Sequence, residues 1–204
     1  MFVKLFRPVL IVLALFLLAA CTPSPNYTET TAQRIAALQS QILGLGPGID
    51  PEEAARAARI SFEYTAQLKA EYEITDPPLI HNTKVNLGIK PRGLCWHWAE
   101  DMQTRLLAED FKTLDLHRAI ANDQHPIRIA HSTAVISRAG DNMEDGIVLD
   151  PWRYGGTLFF SLVKEDTRYP WLRREEVLAK RYGVAVEDIP QFTALPEELE
   201  AIRP

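Results

Sequence analysis

The stretch GLCWHWAEDM, residues 93–102, contains Cys95, one of only two cysteines in a chain of 204 residues. Cys95, Ala99 and Met102 recur at helical spacing, and Leu106 continues the series, so the segment predicts a helix with one face against the core. Cys95 lies in the first turn of this predicted helix. There the positive end of the helix dipole and the free backbone amides favour the thiolate, the nucleophilic form of cysteine.

Helices are predicted mainly before this segment and strands after it. Proline and glycine interrupt residues 74–93, where no long regular element is expected. The other predicted elements are helices at about 35–43 and 51–72, strands at 113–121, 127–138, 147–150 and 157–164, and a helix at 172–182 that Gly183 ends. Helices followed by an antiparallel sheet predict an α+β domain.

The helix at 51–72 has a clear start signal. Asp50 is the predicted N-cap, Pro51 takes the first helical position, and acidic residues follow in the first turn. The residues predicted to form its buried stripe are Ala54, Ala58, Thr65, Leu68 and Tyr72.

Among the five histidines of the chain, His131 is the best candidate for a base that serves Cys95. His97 is only two residues from Cys95 and therefore projects to another side of the helix. His131 lies in the apolar strand segment AHSTAV, where an imidazole needs a polar partner. The polar turn AGDNMEDG folds the next strand back as a hairpin, which brings Asp150 within reach of His131. A thiol, an imidazole and a carboxylate can act as nucleophile, base and orienting group.

Three segments, GLCWHWAEDM, AHSTAVI and GIVLDPW, together resemble the transglutaminase-like superfamily. The resemblance covers about residues 80–165 and rests on the order and spacing of the motifs. It implies a papain-like core in which N-terminal helices and the catalytic helix pack on an antiparallel sheet. It also implies that Cys95 is the nucleophile, His131 the base and Asp150 the residue that orients the base.

The chain departs from the family pattern at two places. Thr133 stands where many members have an aromatic residue, and no glutamine precedes Cys95 as it does in papain. The resemblance therefore does not identify the hydrogen-bond donors of the oxyanion hole. Candidates for the oxyanion hole or the substrate cleft are the backbone amide of Cys95, the indoles of Trp96 and Trp152, and the side chain of Asn86.

Residues 1–20 predict a lipoprotein signal peptide, since Lys4 and Arg7 precede about a dozen apolar residues and LAAC resembles a lipobox. The resemblance implies lipid attachment at Cys21 and cleavage before it. Residues 21–31 then form a flexible tether. Residues 32–204 form one transglutaminase-like domain, which comprises N-terminal helices at 32–73, a catalytic core at about 80–165 and a C-terminal helical tail.

The lipid anchor predicts a location in the cell envelope, which is the periplasmic face of the outer membrane if the host is Gram-negative. Loss of Lys4 and Arg7 leaves 20 basic and 27 acidic residues, a charge of −7, so nucleic acid is a poor partner. No cofactor is expected. A metal site is not expected either, because Cys95, His97 and His131 lack the usual zinc spacing.

The implied chemistry is acyl transfer or hydrolysis at the amide bonds of a peptide, a protein or peptidoglycan through a thioester. Two alternatives stay open. The same fold serves as a non-catalytic binding or scaffold lipoprotein in the envelope, or the chain is a peptidoglycan-cleaving cysteine peptidase. Peptidases of that kind often carry a second histidine where this chain has Asp150.

Overall fold

The structure is a computed structural model that describes residues 28–190. The predicted signal peptide, Cys21, most of the predicted tether and the last part of the C-terminal tail lie outside the described residues. The described helices are α1 (Thr31–Leu43), α2 (Pro51–Glu71), α3 (Pro78–Asn86), α4 (Cys95–Leu107) and α5 (Arg174–Tyr182). Within residues 28–190 no helix combines the length and the apolar character needed to cross a bilayer.

Five strands form one antiparallel sheet, as the α+β prediction requires. They are β1 (Leu114–Ala121), β2 (His131–Arg138), β3 (Ile147–Asp150), β4 (Phe159–Leu162) and β5 (Leu172–Arg173). Their order across the sheet is β4-β3-β2-β1-β5, so β2 lies at the centre. All four pairings are antiparallel.

The two N-terminal helices begin at caps that the sequence encodes. Thr30 and Gln33 form a reciprocal capping box at the start of α1. At α2, the Asp50 carboxylate accepts hydrogen bonds from the amides of Glu52 and Glu53, as predicted. The predicted stripe of α2 is buried at every position: Ala54, Ala58, Thr65, Leu68 and Tyr72.

Helix α4 packs its predicted face into the core of the domain. Cys95, Ala99, Met102 and Leu106 are all buried, which confirms the helical periodicity of this segment. The lower part of the helix belongs to the main hydrophobic core, which also contains side chains of α1, α2 and the central strands. The N-terminal end of α4 instead meets a smaller cluster with Trp98 and Trp152.

The prediction of a strand over residues 127–138 is wrong for its first four residues. β2 begins only at His131, because its partner β1 ends at Ala121, which pairs with His131. Asn122 then turns the chain with a φ of 61°, and Pro126 has no amide hydrogen for a ladder. Residues 127–130 are loop. Ile127, which would lie on the same face as His131 if the strand extended this far, is exposed.

Smaller differences concern the elements on either side of the strands. The 74–93 segment, where no long element was expected, contains the nine-residue helix α3, which Pro78 begins at its first position. The strand at 157–164 is shorter than predicted and ends in a 3₁₀ turn. Residues 172–173 form β5, so α5 begins two residues later than predicted. Gly183 ends α5 with a left-handed φ of 68°, as predicted.

Candidate active site

The loop before Cys95 is held by side chains of the helix that follows it. The Nδ1 atom of His97 accepts hydrogen bonds from the backbone amides of Gly93 and Leu94, at 3.1 and 3.2 Å. The Trp98 indole donates to the Gly93 carbonyl at 3.1 Å. His97 is therefore turned away from a role as the base and fixes the entry of the chain into α4. This leaves the amide of Cys95, which stands at the first position of α4 and has no acceptor within the helix, next to its own thiol.

Gly93 is required at this entry for two physical reasons. Its φ of +123° lies in a region that side chains rarely adopt. A Cβ atom at this position would also lie 2.4 Å from the Nε2 atom of His81. His81 is buried and its Nε2 bonds with the Arg92 carbonyl at 2.9 Å, so it cannot readily move away. A side chain at position 93 would therefore disturb the loop that presents Cys95 at the start of α4.

His131 and Asp150 form a buried pair at the centre of the sheet. His131 is the first residue of β2 and Asp150 is the last residue of β3. His131 Nε2 and Asp150 Oδ2 are 2.7 Å apart, and the two residues are 1% and 0% exposed. Donation from Nε2–H to the carboxylate leaves Nδ1 as the nitrogen that can exchange a proton with another group.

Cys95 lies close enough to His131 to interact with its imidazole. Nδ1 of His131 is buried and has no hydrogen-bond partner of ordinary geometry among residues 28–190. The Cys95 thiol donates a long hydrogen bond of 3.8 Å to the carbonyl of Ala130, the residue next to His131. Burial lowers the pKa of His131, but Asp150, and after it the Cys95 sulfur, outweigh burial and raise the pKa to about 9. The imidazolium is therefore the main form at neutral pH.

Asp150 is supported by a second ion pair. Its carboxylate accepts hydrogen bonds from the amide of Arg153 at 3.1 Å and from the Arg153 Nε at 2.9 Å. Burial raises the pKa of Asp150, yet the charges and hydrogen bonds of His131 and Arg153 outweigh burial and hold the pKa below its usual range. The carboxylate therefore stays ionised, as an orienting group for the imidazole must.

Arg153 is in turn fixed by Asp166, a residue that the sequence reasoning missed. The guanidinium of Arg153 makes two hydrogen bonds to the Asp166 carboxylate, and the Trp171 indole donates to the same carboxylate at 2.8 Å. Arg153 also stacks on the Phe159 ring at 3.7 Å. In the sequence, this network is visible only as an aspartate in the segment DTRYPW. The spacing between that aspartate and Asp150 matches no known motif.

Three aromatic rings enclose the imidazole of His131. The centroids of Trp152, Tyr169 and Trp171 lie 4.6, 4.7 and 5.3 Å from the centroid of His131. These rings restrict rotation of the imidazole and exclude water from its faces. The indole N–H of Trp152 donates to the side chain of Asn82 at 3.0 Å, so it is not available as an oxyanion donor.

Arg118 adds positive charge on the other side of Cys95. It extends from β1, is 6% exposed, and donates to the carbonyl of Trp96 at 3.4 Å. Burial and the charge of Arg174 lower the pKa of Arg118, while Glu100 and Cys95 oppose them, with a result of about 10. The buried guanidinium thus brings positive charge close to Cys95, and no sequence pattern indicated this residue.

The structure thus brings Cys95, His131 and Asp150 to one place and sorts the accessory candidates. Trp152 lies against His131, as a wall of the site. Trp96 is half-buried, and its ring packs against His97 at 3.8 Å between centroids. Asn86 is exposed at the end of α3, and within residues 28–190 no hydrogen bond joins it to the triad. The described residues contain no group of three or more His, Cys, Asp or Glu side chains arranged for a metal ion.

The chain matches no known protein family, no curated protein and no solved structure at significant similarity. The resemblance to the transglutaminase-like superfamily therefore stays a prediction that rests on the three motifs.

Proposed function

We propose that the protein is a cysteine hydrolase or acyltransferase that acts on amide bonds through a thioester, on a papain-like, transglutaminase-like core. Cys95 is the nucleophile, His131 the base and Asp150 the residue that orients the base. The observation that carries the proposal is the buried 2.7 Å contact between His131 Nε2 and Asp150 Oδ2, with Cys95 close enough to interact with the same imidazole. A thiol packed only as an apolar group has no need of such a pair.

The first half of the reaction forms the thioester. The Cys95 thiolate attacks the carbonyl carbon of the amide, and the carbonyl oxygen becomes an oxyanion. The backbone amide of Cys95, at the first position of α4, is the donor that suits this oxyanion, since the helix offers it no acceptor. As the C–N bond breaks, His131 gives the proton on Nδ1 to the nitrogen of the leaving amine.

The second half releases the acyl group. Water or an amine attacks the thioester carbon while His131 Nδ1 takes a proton from the attacking molecule. The C–S bond breaks and Cys95 leaves as the thiolate, which restores the ion pair with the imidazolium. Asp150 keeps its hydrogen bond to Nε2 throughout and holds the ring in one orientation. Attack by water makes the protein a hydrolase, and attack by an amine makes it an acyltransferase.

The proposed place of this reaction is the cell envelope. Lipid attachment at Cys21 would tether the domain to a membrane outside the cytoplasm, so the amide substrate is a peptide, a protein or peptidoglycan within reach of that membrane. The first described helix, α1, begins at Thr31, the last residue of the predicted tether. Metabolic labelling with a palmitate analogue, compared between the natural chain and Cys21→Ser, tests the anchor independently of the chemistry.

The test of the chemistry is the pH dependence of Cys95 alkylation by iodoacetamide, read by mass spectrometry of the peptide that contains Cys95. A thiolate paired with an imidazolium reacts fast at pH 6, well below the range in which an ordinary thiol ionises. The variant His131→Ala should react slowly at pH 6 and recover only at alkaline pH. The matched control is His117→Gln, since His117 lies on β1 with its ring bonded to Ser137.

Three results separate the proposal from its alternatives. Ordinary thiol kinetics, unchanged in His131→Ala, would exclude the ion pair and favour a non-catalytic binding or scaffold role. A reactive Cys95 with release of muropeptides from purified sacculi would assign the enzyme to peptidoglycan. A reactive Cys95 without such release would leave protein or peptide amides as the substrate.

A further inference from the structure

A cavity of about 430 Å³ opens beside the imidazole of His131. Trp152 and Tyr169 line this cavity, and both rings also contact the His131 ring. Ile129, another lining residue, precedes Ala130, whose carbonyl accepts the hydrogen bond from the thiol. The cavity therefore lies next to the triad, with the rings of Trp152 and Tyr169 between it and His131. Its volume is within the range of ligand pockets, roughly 300–1,000 Å³, and is suited to one or two side chains of a bound molecule.

The mouth of the cavity exposes apolar side chains to water. Leu79 from α3 is 44% exposed, and Ile127 and Ile129 from the loop before β2 are 88% and 50% exposed. Apolar groups gathered at one concave site lose contact with water when a ligand covers them, which favours binding of an apolar group. The two isoleucines belong to the 127–130 segment, which was predicted as strand but is loop. The late start of β2 at His131 therefore leaves them free to form this apolar wall.

Two arginines, Arg128 and Arg168, line the same cavity with exposed side chains. Within residues 28–190 neither has an acidic side chain at salt-bridge distance. Other exposed arginines are paired; Arg59, for example, lies 3.2 Å from Glu63. In a chain whose net charge is −5, two cations without acidic partners at one cavity mark a local preference for negative charge.

We infer that this cavity binds an acidic peptide. An apolar side chain of the peptide contacts Leu79, Ile127 and Ile129, and a carboxylate on the neighbouring residue pairs with Arg128 and Arg168. The inference rests on the proposed function, because it takes the amide bond beside these residues to be the one that reaches the thiol. It deepens that function by naming the substrate class, a peptide with an apolar residue next to an acidic one.

The test measures binding without turnover. The full chain carrying Cys95→Ala is titrated into fluorescein-labelled Gly-Gly-Leu-Glu-Gly-Gly and into matched peptides in which Gln or Lys replaces Glu, or Ala replaces Leu, and fluorescence anisotropy is read. We expect the Leu-Glu peptide to bind about five- to tenfold more tightly than the Leu-Gln peptide, the effect of one partly exposed charge pair or two. The Leu-Lys and Ala-Glu peptides should bind more weakly than the Leu-Glu peptide.

Variants locate the binding to the cavity. The double variant Arg128→Gln, Arg168→Gln should bind the Leu-Glu and Leu-Gln peptides equally, whereas the control Arg59→Gln should keep the preference. Ile129→Ser should weaken binding of both peptides. Circular dichroism checks that each variant keeps its fold.

Equal binding of the acidic, neutral and basic peptides would overturn the inference, as would no binding of any of them up to about 1 mM. Either result can occur while Cys95 alkylates as an ion-paired thiolate, in which case the proposed chemistry stands and only the substrate class fails. Conversely, selective binding with an unreactive thiol would keep the cavity as a peptide site and reject the enzyme.

Discussion

The pairing of His131 with Asp150 makes the stability of the fold depend on pH. The pKa of His131 is raised to about 9 from an ordinary value of 6.5, so the folded chain holds a proton that the unfolded chain releases above about pH 6.5. The stabilisation is therefore complete below pH 6.5, decreases as the pH rises, and is absent above about pH 9. At about 1.4 kcal/mol for each pH unit, the difference corresponds to about 3 kcal/mol.

Urea unfolding followed by far-ultraviolet circular dichroism, at several values between pH 6 and 9.5, measures this loss. Cys95→Ala is introduced into every protein, so that the thiol does not titrate; Asp150, the larger cause of the raised pKa, remains. The variant His131→Gln removes the titrating group. We expect the free energy of unfolding to fall across this range with His131 present, by less than the full difference of about 3 kcal/mol because the smaller contribution of Cys95 to the raised pKa is removed, and to change much less with His131→Gln.

His117→Gln is the matched control. Burial lowers the pKa of His117, so this residue affects stability with the opposite sign and on the acid side. Its removal should leave the loss above pH 6.5 unchanged. Parallel curves of unfolding free energy against pH for the His131 protein and His131→Gln would refute the buried imidazolium, and with it the ion pair proposed for catalysis.

Two further predictions concern Asp150 and Gly93. Asp150→Asn removes the charge that favours the imidazolium, and we expect alkylation of Cys95 at pH 6 to slow by about tenfold or more; an unchanged rate in the mass-spectrometric assay would contradict the orienting role. Gly93→Ala forces a Cβ into His81 at a positive φ, and we expect a loss of about 2–4 kcal/mol in thermal or urea unfolding. Gly140→Ala, where φ is +83° and no atom lies within 4 Å, should cost only about 1 kcal/mol, so equal losses would argue against the close approach at Gly93.

Local signals of the sequence predicted the helices well. The cap at Asp50 and the stripe of α2 depend on residues within a few positions of one another, and the structure has both as expected. The face of α4 that begins with Cys95 depends on the same short periodicity. The hairpin of β2 and β3 was also predictable, because a polar turn between two apolar segments specifies the pairing that brings His131 to Asp150.

Features that depend on distant partners were not predictable. The 127–130 segment alternates like a strand, yet β1 ends at Ala121 and offers it no partner. Arg118 and Asp166 reach the site from elements that carry no motif, and only the packed sheet shows that they are near it. Single-sequence patterns describe local conformation, whereas the supporting ion pairs of a site belong to the tertiary structure.

The nucleophile and the orienting carboxylate are held in the fold by contacts that span different distances along the sequence. The thiol stands on a turn closed by contacts among residues three to five positions apart. Asp150 instead ends a four-residue strand that is flanked by the four-residue edge strand β4. Short edge elements open at a smaller free energy than the whole domain, so fraying of this edge would leave the thiol and His131 in place and withdraw the carboxylate that orients His131. Mild heating should therefore abolish the reactivity of Cys95 reversibly, at temperatures where most amide hydrogens of the chain are still protected from exchange.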